Sequence, residues 1–138
     1  INYQKLVEYV KGDRRIEAID AAVYSDNCTL SFAAGKQSSS YVDANGQEAI
    51  RAVRIDDVVG EDKVTFIKMD IEGSELEALR GASQTIRRNH PNLAICIYHK
   101  LEDLWEIPLY IKELYSDYKL YVRNYEDRLD EMVMYAMP

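Results

Sequence analysis

The sequence predicts an α/β domain whose central strands are parallel. Two apolar runs, residues 64–70 and 93–98, have the length of buried strands, and a helical pattern over residues 74–89 separates them. A crossover of this length implies parallel pairing and a right-handed connection. Two β-rich runs near the C-terminus, residues 119–125 and 132–136, flank a polar turn. They predict an antiparallel hairpin that closes a mostly parallel sheet.

The first half of the chain predicts shorter elements. Apolar residues at helical spacing, from Tyr3 to Val10, indicate a helix close to the first residue. Apolar runs between polar turns indicate short strands. In order, the sequence predicts a helix over residues 2–11, a strand over 15–23, a strand over 28–33, a polar loop over 35–40, a strand over 49–55 and a turn or short helix over 56–59.

The helix predicted over residues 74–89 has recognisable ends. Ser74 and Glu77 have the spacing of a capping box, in which each side chain binds a free backbone donor. Basic residues come late, where they complement the helix dipole, and a His-Pro pair follows as a stop signal. Further along the chain, Pro108 suits an early position in one more helix that runs to about residue 115.

Composition narrows the functional class. A chain of 138 residues suits one domain, and contents of 47% hydrophobic and 30% charged residues are ordinary for a globular protein. The net charge of −7 argues against non-specific binding to nucleic acid and to anionic membrane surfaces. No apolar stretch is long enough to span a membrane. Cys28 and Cys96 have no metal-type spacing, and this cysteine usage favours a cytoplasmic protein.

Polar side chains follow both central strands, at the sheet edge where α/β proteins bind their ligands. Asp70 ends the first apolar run, Glu72 comes just after it, and His99 follows the second run. Because the carboxyl ends of parallel strands meet at one edge, we expect Asp70 and His99 to lie together. Lys68 shares the face of Asp70, since side chains alternate along a strand. His99 is a candidate base near neutral pH.

Each of these groups also has a structural interpretation. Asp70 and Glu72 are placed to cap free backbone donors at a helix start. A lone histidine such as His99 is more often a surface residue than a functional one. Position alone therefore leaves both interpretations open.

Other candidate residues are less distinctive. Asp20, Ala21 and Ala22 close the predicted strand over residues 15–23. Small side chains there admit a flat ring and the carboxylate accepts from a ring amine, but a tight turn explains them equally well. Lys68 and Trp105 are candidate substrate contacts, although aromatic residues more often pack half-buried.

Several segments resemble one known family. Residues 67–82 read IKMDIEGSELEALRGA and resemble the hallmark of the FkbM-type S-adenosylmethionine-dependent methyltransferases. Residues 17–26, EAIDAAVYSD, resemble the family's strand that ends in an Ala-Ala pair. Residues 53–59, VRIDDVV, resemble the segment before the hallmark strand. Residues 91–125 are similar to one subgroup almost throughout, so the resemblance covers nearly the whole chain.

The resemblance implies a Rossmann-like sheet of seven strands, the last of them antiparallel. It places the cofactor S-adenosylmethionine over the carboxyl ends of the central strands. Asp70 would face the methionine end of the cofactor and the methyl acceptor, and His99 would lie on the acceptor side. The residues expected near the adenine are Asp20, Ala21 and Ala22.

The implied reaction is O-methylation of a hydroxyl on a sugar or small natural-product acceptor, by in-line attack on the sulfonium methyl. The acceptor proton would go to His99, with Asp70 and Glu72 as alternatives. Another interpretation assigns these three residues to a divalent metal that orients the acceptor. Because hard cations prefer oxygen ligands, no metal site is predicted from the sequence.

The chain departs from the family in one respect. The family's first strand, glycine-rich cofactor loop and ribose-binding acid would precede Ile1, so we expect residues 1–138 to be a single partial domain, truncated at its N-terminus. That strand normally lies between the strands ending at Val23 and Asp70, which would otherwise have unpaired edges. We therefore expect a repaired or swapped sheet, for instance in a homodimer. The alternative to an enzyme is a non-catalytic half-domain that mediates assembly.

Overall fold

The computed structural model describes residues 2–34, 40–42, 48–127 and 131–138. The helices are α1 (Asn2–Tyr9), α2 (Ile55–Val59), α3 (Glu75–Arg80), α4 (Ser83–Asn89) and α5 (Asp103–Leu114). The strands are β1 (Ala22–Val23), β2 (Cys28–Ala34), β3 (Ser40–Val42), β4 (Glu48–Val53), β5 (Phe66–Met69), β6 (Asn92–Cys96), β7 (Lys119–Asn124) and β8 (Met132–Met137). None of these helices has the length and apolar character needed to cross a membrane. Most of the predicted polar loop over residues 35–40 lies outside the described residues.

The strands form two four-stranded sheets. The first sheet has the order β1-β4-β2-β3 and the second has the order β5-β6-β8-β7. Only the pairs β1–β4 and β5–β6 are parallel among the described strands. The fold is therefore mixed α/β, but the single, mostly parallel sheet that we expected is not what the described residues form. The reason is that no described strand pairs with the free edge of β1 or of β5, which leaves both as edge strands.

The central crossover has the predicted form. β5 and β6 pair in parallel, with Ile67 opposite Leu93 and Met69 opposite Ile95, and the chain between them carries α3 and α4. Along β5, Ile67 and Met69 are buried while Lys68 between them is exposed, which is the alternation of a half-buried strand. The C-terminal strands β7 and β8 pair in the predicted antiparallel direction, while residues 128–130 of the predicted turn between them lie outside the described residues.

The single helix predicted over residues 74–89 is divided into α3 and α4. The division lies at Gly81, where an added Cβ would be 2.0 Å from the carbonyl oxygen of Tyr24. A second cause is Asp56, whose carboxylate accepts hydrogen bonds from two backbone N–H groups in the first turn of α4 and so caps a new helix. Both contacts join residues that are far apart in the sequence.

Two predictions about helix ends are wrong. Ser74 makes no side-chain hydrogen bond at the start of α3, and its expected partner Glu77 pairs with Arg80 instead. α5 begins at Asp103 and holds Pro108 in its interior. The Asp103 carboxylate accepts a hydrogen bond of 3.2 Å from the backbone N–H of Lys100, which ties the first turn of α5 to the preceding loop.

The strand predicted over residues 15–23 is reduced to the two residues of β1. Upstream of β1, the backbone and side chain of Arg15 both donate hydrogen bonds to the carboxylate of Asp13. Such local bonds compete with strand pairing. The other predicted elements of the first half, a first helix, two short strands and a brief helix, are confirmed by α1, β2, β4 and α2.

The hydrophobic core combines side chains of the second sheet with side chains of α3, α4 and α5. Its completely buried members include Leu79, Ile86, Ile95, Ile107, Ile111 and Met134. Tyr118 is also buried, and its hydroxyl donates a hydrogen bond of 2.6 Å to the carbonyl of Pro91. The carboxyl ends of β5 and β6 therefore rest on the best-packed part of the molecule.

Candidate active site

The structure brings together the polar residues that follow the two parallel strands. His99 Nε2 lies 3.6 Å from Asp70 Oδ1 and 3.5 Å from Glu72 Oε2. The side chains of Asp70 and Glu72 are 40% and 44% exposed, whereas that of His99 is only 9% exposed. Two carboxylates open to solvent therefore converge on one side of a nearly buried imidazole. The expected proximity of Asp70 and His99 is confirmed; their functional roles stay predictions.

The turn after β5 places Glu72 through an unusual backbone conformation. Glu72 has a φ of 58° and Gly73 a φ of 89°, and a positive φ is costly for a residue with a side chain. Gly73 also approaches the loop after β6, because an added Cβ would lie 3.0 Å from Lys100 Cε and 3.6 Å from His99 Cβ. The turn is therefore held tightly against the loop that carries His99.

A third carboxylate, Glu75, lies beneath this cluster and was not selected from the sequence as a site residue. Its side chain is 0% exposed, and its Oε1 lies 2.9 Å from His99 Nδ1. The same oxygen accepts a hydrogen bond of 2.9 Å from the backbone N–H of Ile71. Helical spacing contains the missed signal: Glu75 precedes the buried pair Ala78 and Leu79 by three and four positions, which puts it on the buried face of α3.

Several polar atoms of this cluster have no hydrogen-bond partner in the described part of the chain. These atoms are Glu75 Oε2 and both ring nitrogens of His99. The 2.9 Å approach between Glu75 and His99 is thus an ion-pair contact that lacks hydrogen-bond geometry. Buried polar groups are nearly always satisfied in proteins, so unsatisfied ones require an explanation.

Two further side chains contact Asp70, Lys68 from β5 and Tyr98 from the segment that follows β6. The Tyr98 hydroxyl donates a hydrogen bond of 3.3 Å to Asp70 Oδ1, and its ring lies 4.1 Å from that of His99. Lys68 Nζ is 3.6 Å from Asp70 Oδ2. The predicted neighbourhood of Lys68 and Asp70 is therefore present, but Lys68 pairs with the carboxylate instead of facing an open pocket.

Burial and the negative charge of the cluster together raise the pKa values of neighbouring groups. Burial, followed by the charge of Asp70, raises the pKa of Tyr98. The same two causes raise the pKa of the Cys96 thiol to about 12. Burial, followed by the charge of Glu75, raises the pKa of the Asp103 carboxyl. In each case a nearby carboxylate makes a further negative charge less favourable.

The remaining predicted residues lie elsewhere. Asp20 is exposed, and Ala22 pairs with Ala52 in the first sheet. Trp105 is about half exposed on α5. Within the described part of the chain, no hydrogen bond or ion pair joins Asp20 or Trp105 to the cluster.

A small pocket opens beside the cluster, in the angle between β6 and α5. Its volume is about 190 Å³, and its lining consists of Ile97, Tyr98, Lys100, Leu101, Leu104 and Met132. A larger groove of about 590 Å³ lies on the first sheet, near Cys28, Arg51 and Asp57. The small pocket is the better functional candidate despite its size, because it shares Tyr98 with the carboxylate cluster.

Comparisons with known proteins agree with each other. Residues 5–129 match the family model described as Methyltransferase FkbM domain. The chain is also similar to the crystal structure of methyltransferase FkbM from Methylobacillus flagellatus KT, with a TM-score of 0.77 and 29% sequence identity. That match covers 96% of this chain and 32% of the other, so the chain spans about a third of the length of that relative. No curated protein matches the sequence.

Proposed function

The chain belongs to the FkbM methyltransferase family, and from this premise we propose that it transfers a methyl group from S-adenosylmethionine to a hydroxyl oxygen. The acceptor class that we propose is a sugar or small natural product. The observation that carries the proposal is that Asp70 and Glu72 each approach His99 Nε2 to within 3.6 Å at the carboxyl ends of β5 and β6. Ligands of open α/β sheets bind at this edge.

The residues present fit a positively charged methyl donor. Asp70 and Glu72 are partly exposed carboxylates, and a nearby negative charge favours a cation. When bound, S-adenosylmethionine supplies the reactive methyl group and a sulfonium leaving group. The contribution of the protein is then mainly alignment of the two reactants, which lowers a barrier by about 7–11 kcal/mol in well-oriented cases.

The acceptor hydroxyl also has to lose a proton. His99 Nε2 is the proposed acceptor of that proton, because it lies next to the partly exposed Asp70 and Glu72 while Nδ1 faces the buried Glu75. Asp70 Oδ1 and Glu72 Oε2 are the alternatives. An imidazole is well suited to this role near neutral pH.

The pocket between β6 and α5 is the proposed place for the body of the acceptor. Four of its lining residues are apolar, namely Ile97, Leu101, Leu104 and Met132. This lining favours an acceptor with an apolar face over a fully hydroxylated one. A volume of about 190 Å³ accommodates only part of such a molecule.

Calorimetric titration with S-adenosylhomocysteine tests the cofactor. The 138-residue chain is compared with a form extended upstream of Ile1. The second form tests the prediction that a cofactor loop precedes this residue. Binding by the extended form alone supports that prediction, and binding by both forms overturns it. Absence of binding in both forms contradicts the proposed function and favours the non-catalytic assembly module.

The substitution Asp70→Asn tests the role of the cluster. It keeps the size of the side chain but removes the charge at the end of β5. We expect at least a tenfold loss in methyl transfer, measured as S-adenosylhomocysteine release with a panel of hydroxyl acceptors. Asp62→Asn, in the turn after α2, is the control and should retain activity. Unchanged turnover in Asp70→Asn would remove this carboxylate from the mechanism.

A further inference from the structure

We propose that Asp70, Glu75 and His99 form a binding site for a divalent transition-metal cation. Each of the three residues offers one ligand atom, and these atoms all lie within 4.8 Å of one another. Such spacing lets one cation contact two carboxylate oxygens and one imidazole nitrogen after small side-chain adjustments. Asp70 comes from the end of β5, Glu75 from the start of α3 and His99 from the loop after β6, so three separate elements converge on the site.

The unsatisfied atoms of the cluster are the independent observation for a ligand. The His99 side chain is 9% exposed and that of Glu75 is 0% exposed. Even so, no described residue forms a hydrogen bond with Glu75 Oε2 or with either nitrogen of His99. Burial of a carboxylate is unfavourable unless the group is paired and hydrogen-bonded. One coordinated cation would satisfy an oxygen of Glu75 and a nitrogen of His99 together.

The ion pair between His99 and Glu75 does not balance the negative charge of the carboxylates around it. Three carboxylates, those of Asp70, Glu72 and Glu75, lie within 3.6 Å of a His99 nitrogen, and a fourth, Asp103, interacts electrostatically with Glu75 and His99. Among the described residues, the positive side chains that interact with these groups are Lys68, which pairs with Asp70, and Lys100, which follows His99. Even a protonated His99 brings the positive charges only to three against four. A divalent cation supplies the missing positive charge where the carboxylates converge.

The surroundings hold two ligands in place. The Ile71 N–H donates to Glu75 Oε1, and the Tyr98 hydroxyl donates to Asp70 Oδ1. Outer hydrogen bonds of this kind orient metal ligands and contribute to affinity. Asp70 is 40% exposed, so the remaining coordination positions are open to water or to an acceptor hydroxyl.

The donor set indicates which cation fits. Two carboxylate oxygens with one imidazole nitrogen suit Mn²⁺ or Zn²⁺ better than Mg²⁺, which prefers an all-oxygen set. From the sequence, Asp70, Glu72 and His99 were the ligands considered, and no metal site was predicted because hard cations prefer oxygen ligands. The structure adds Glu75, a buried carboxylate 2.9 Å from His99 Nδ1.

The consequence for catalysis rests on the proposed function. A bound cation would increase the acidity of the acceptor hydroxyl and so take over part of the work assigned to a base. His99 would then act as a ligand, and Glu72, whose Oε2 lies 3.5 Å from His99 Nε2, would receive the proton. The acceptor O–H bond breaks, the new O–C bond forms, and the S–C bond of the donor breaks.

The experiment is titration of the 138-residue chain with MnCl₂, and separately with ZnCl₂, without cofactor or acceptor. Calorimetry should show saturable binding of one cation per chain. For Mn²⁺, the electron paramagnetic resonance signal of the free ion should decrease with the same stoichiometry. Glu75→Gln should weaken binding by about tenfold or more. Glu77→Gln is the matched control, because Glu77 lies on the same helix but pairs with Arg80, and it should bind as the unmodified chain does.

The two histidines provide a control within one molecule. Mn²⁺ should broaden the ring proton signals of His99 and leave those of His90, which stacks on Tyr115 at the end of α4, unaffected. Asp70→Asn repeats the test at an exposed position if Glu75→Gln does not fold. Lack of saturable binding by the folded chain, equal broadening of both histidines, or full affinity in the folded variants would overturn the proposal. The outcome is independent of S-adenosylhomocysteine binding, so the metal site and the proposed function fail separately.

Discussion

The first sheet and the second sheet of this protein differ in how far their side chains are buried. In β6, at the centre of the second sheet, Leu93, Ala94, Ile95 and Cys96 are at most 4% exposed. In the first sheet, Ala52 and Val53 at the end of β4 are the buried apolar residues among the side chains that the structure describes. The second sheet therefore carries most of the hydrophobic stabilisation.

This difference explains where the candidate site lies. Asp70 and His99 follow strands that rest on the main core, so their backbone is held by packing. From the first sheet, Val23 packs against that core, and Ile55 of the following helix α2 does so as well; both are only partly buried. A constellation on rigid elements is better defined than one on a loosely packed edge. The candidate site therefore lies on the sheet whose strands are fixed by the main core.

The most direct test of the comparison is to create a cavity in each sheet. Ile95→Ala removes a completely buried side chain from β6 and should lower the free energy of unfolding by about 4 kcal/mol. Ile50→Ala in β4, where the side chain is only partly buried, should cost about 1 kcal/mol. Denaturant unfolding measures both values. Equal losses would show that the two sheets are equally well packed.

The next largest effect on stability is expected where Gly81, after α3, packs against Tyr24, which follows β1 of the first sheet. Gly81→Ala places a Cβ 2.0 Å from the carbonyl oxygen of Tyr24, and relief requires the backbone to move. We expect a loss of about 3 kcal/mol in the free energy of unfolding. Gly12→Ala is the control: its φ of 90° disfavours alanine, but nothing lies within 4 Å of the added Cβ. A smaller loss at Gly81 than at Gly12 would contradict the close contact.

A third test concerns the cap that α2 provides for α4. Asp56 accepts backbone hydrogen bonds from Gln84 and Thr85 and pairs with Arg54 at 2.9 Å. Asp56→Ala should lower the free energy of unfolding by about 2 kcal/mol, because buried donors lose their acceptor. Asp62→Ala in the nearby turn should change it by less than about 0.5 kcal/mol. If the two substitutions cost the same, the cap does not contribute to stability.

The elements of the fold that depend on local pattern were predictable. The alternation in β5, the apolar run of β6 and the β-rich runs that form β7 and β8 are each visible within a few residues of sequence. The division at Gly81 was not, because its causes are Tyr24 and Asp56, more than a helix length away along the chain. Tertiary contacts of this kind override local helix propensity.

The candidate site was predictable to the same extent. Asp70 and His99 were found because strand ends that share a sheet edge can be read from the order of elements. Glu75 was missed because an acidic residue in the first turn of a helix is adequately explained by the helix dipole. Only its burial against His99 distinguishes it, and burial depends on how α3 packs on the sheet.

The smallest expected effect is a difference in pH dependence between the two halves. In the second half, burial and the charge of Glu75 raise the pKa of Asp103 above 3.8. The folded state thus binds the carboxyl proton of Asp103 more tightly than the unfolded state does. The contribution of Asp103 to stability therefore falls as pH rises from 3.8 through the raised pKa of the folded state. In the first half, hydrogen bonds from Arg15 lower the pKa of Asp13, and its contribution is lost as pH falls.

The substitutions Asp103→Asn and Asp13→Asn should therefore have opposite trends. Relative to the unmodified chain, Asp103→Asn should gain stability as pH rises from acid to neutral, since its amide oxygen can still accept the N–H of Lys100 without a buried charge. Asp13→Asn should lose relative stability over the same range, and only slightly, because the carboxylate and Arg15 are solvent-screened. Denaturant midpoints across the acid range measure both trends. Trends of the same sign would show that Asp103 is not held in a more negative environment than Asp13, and the electrostatic contrast between the two halves would fail.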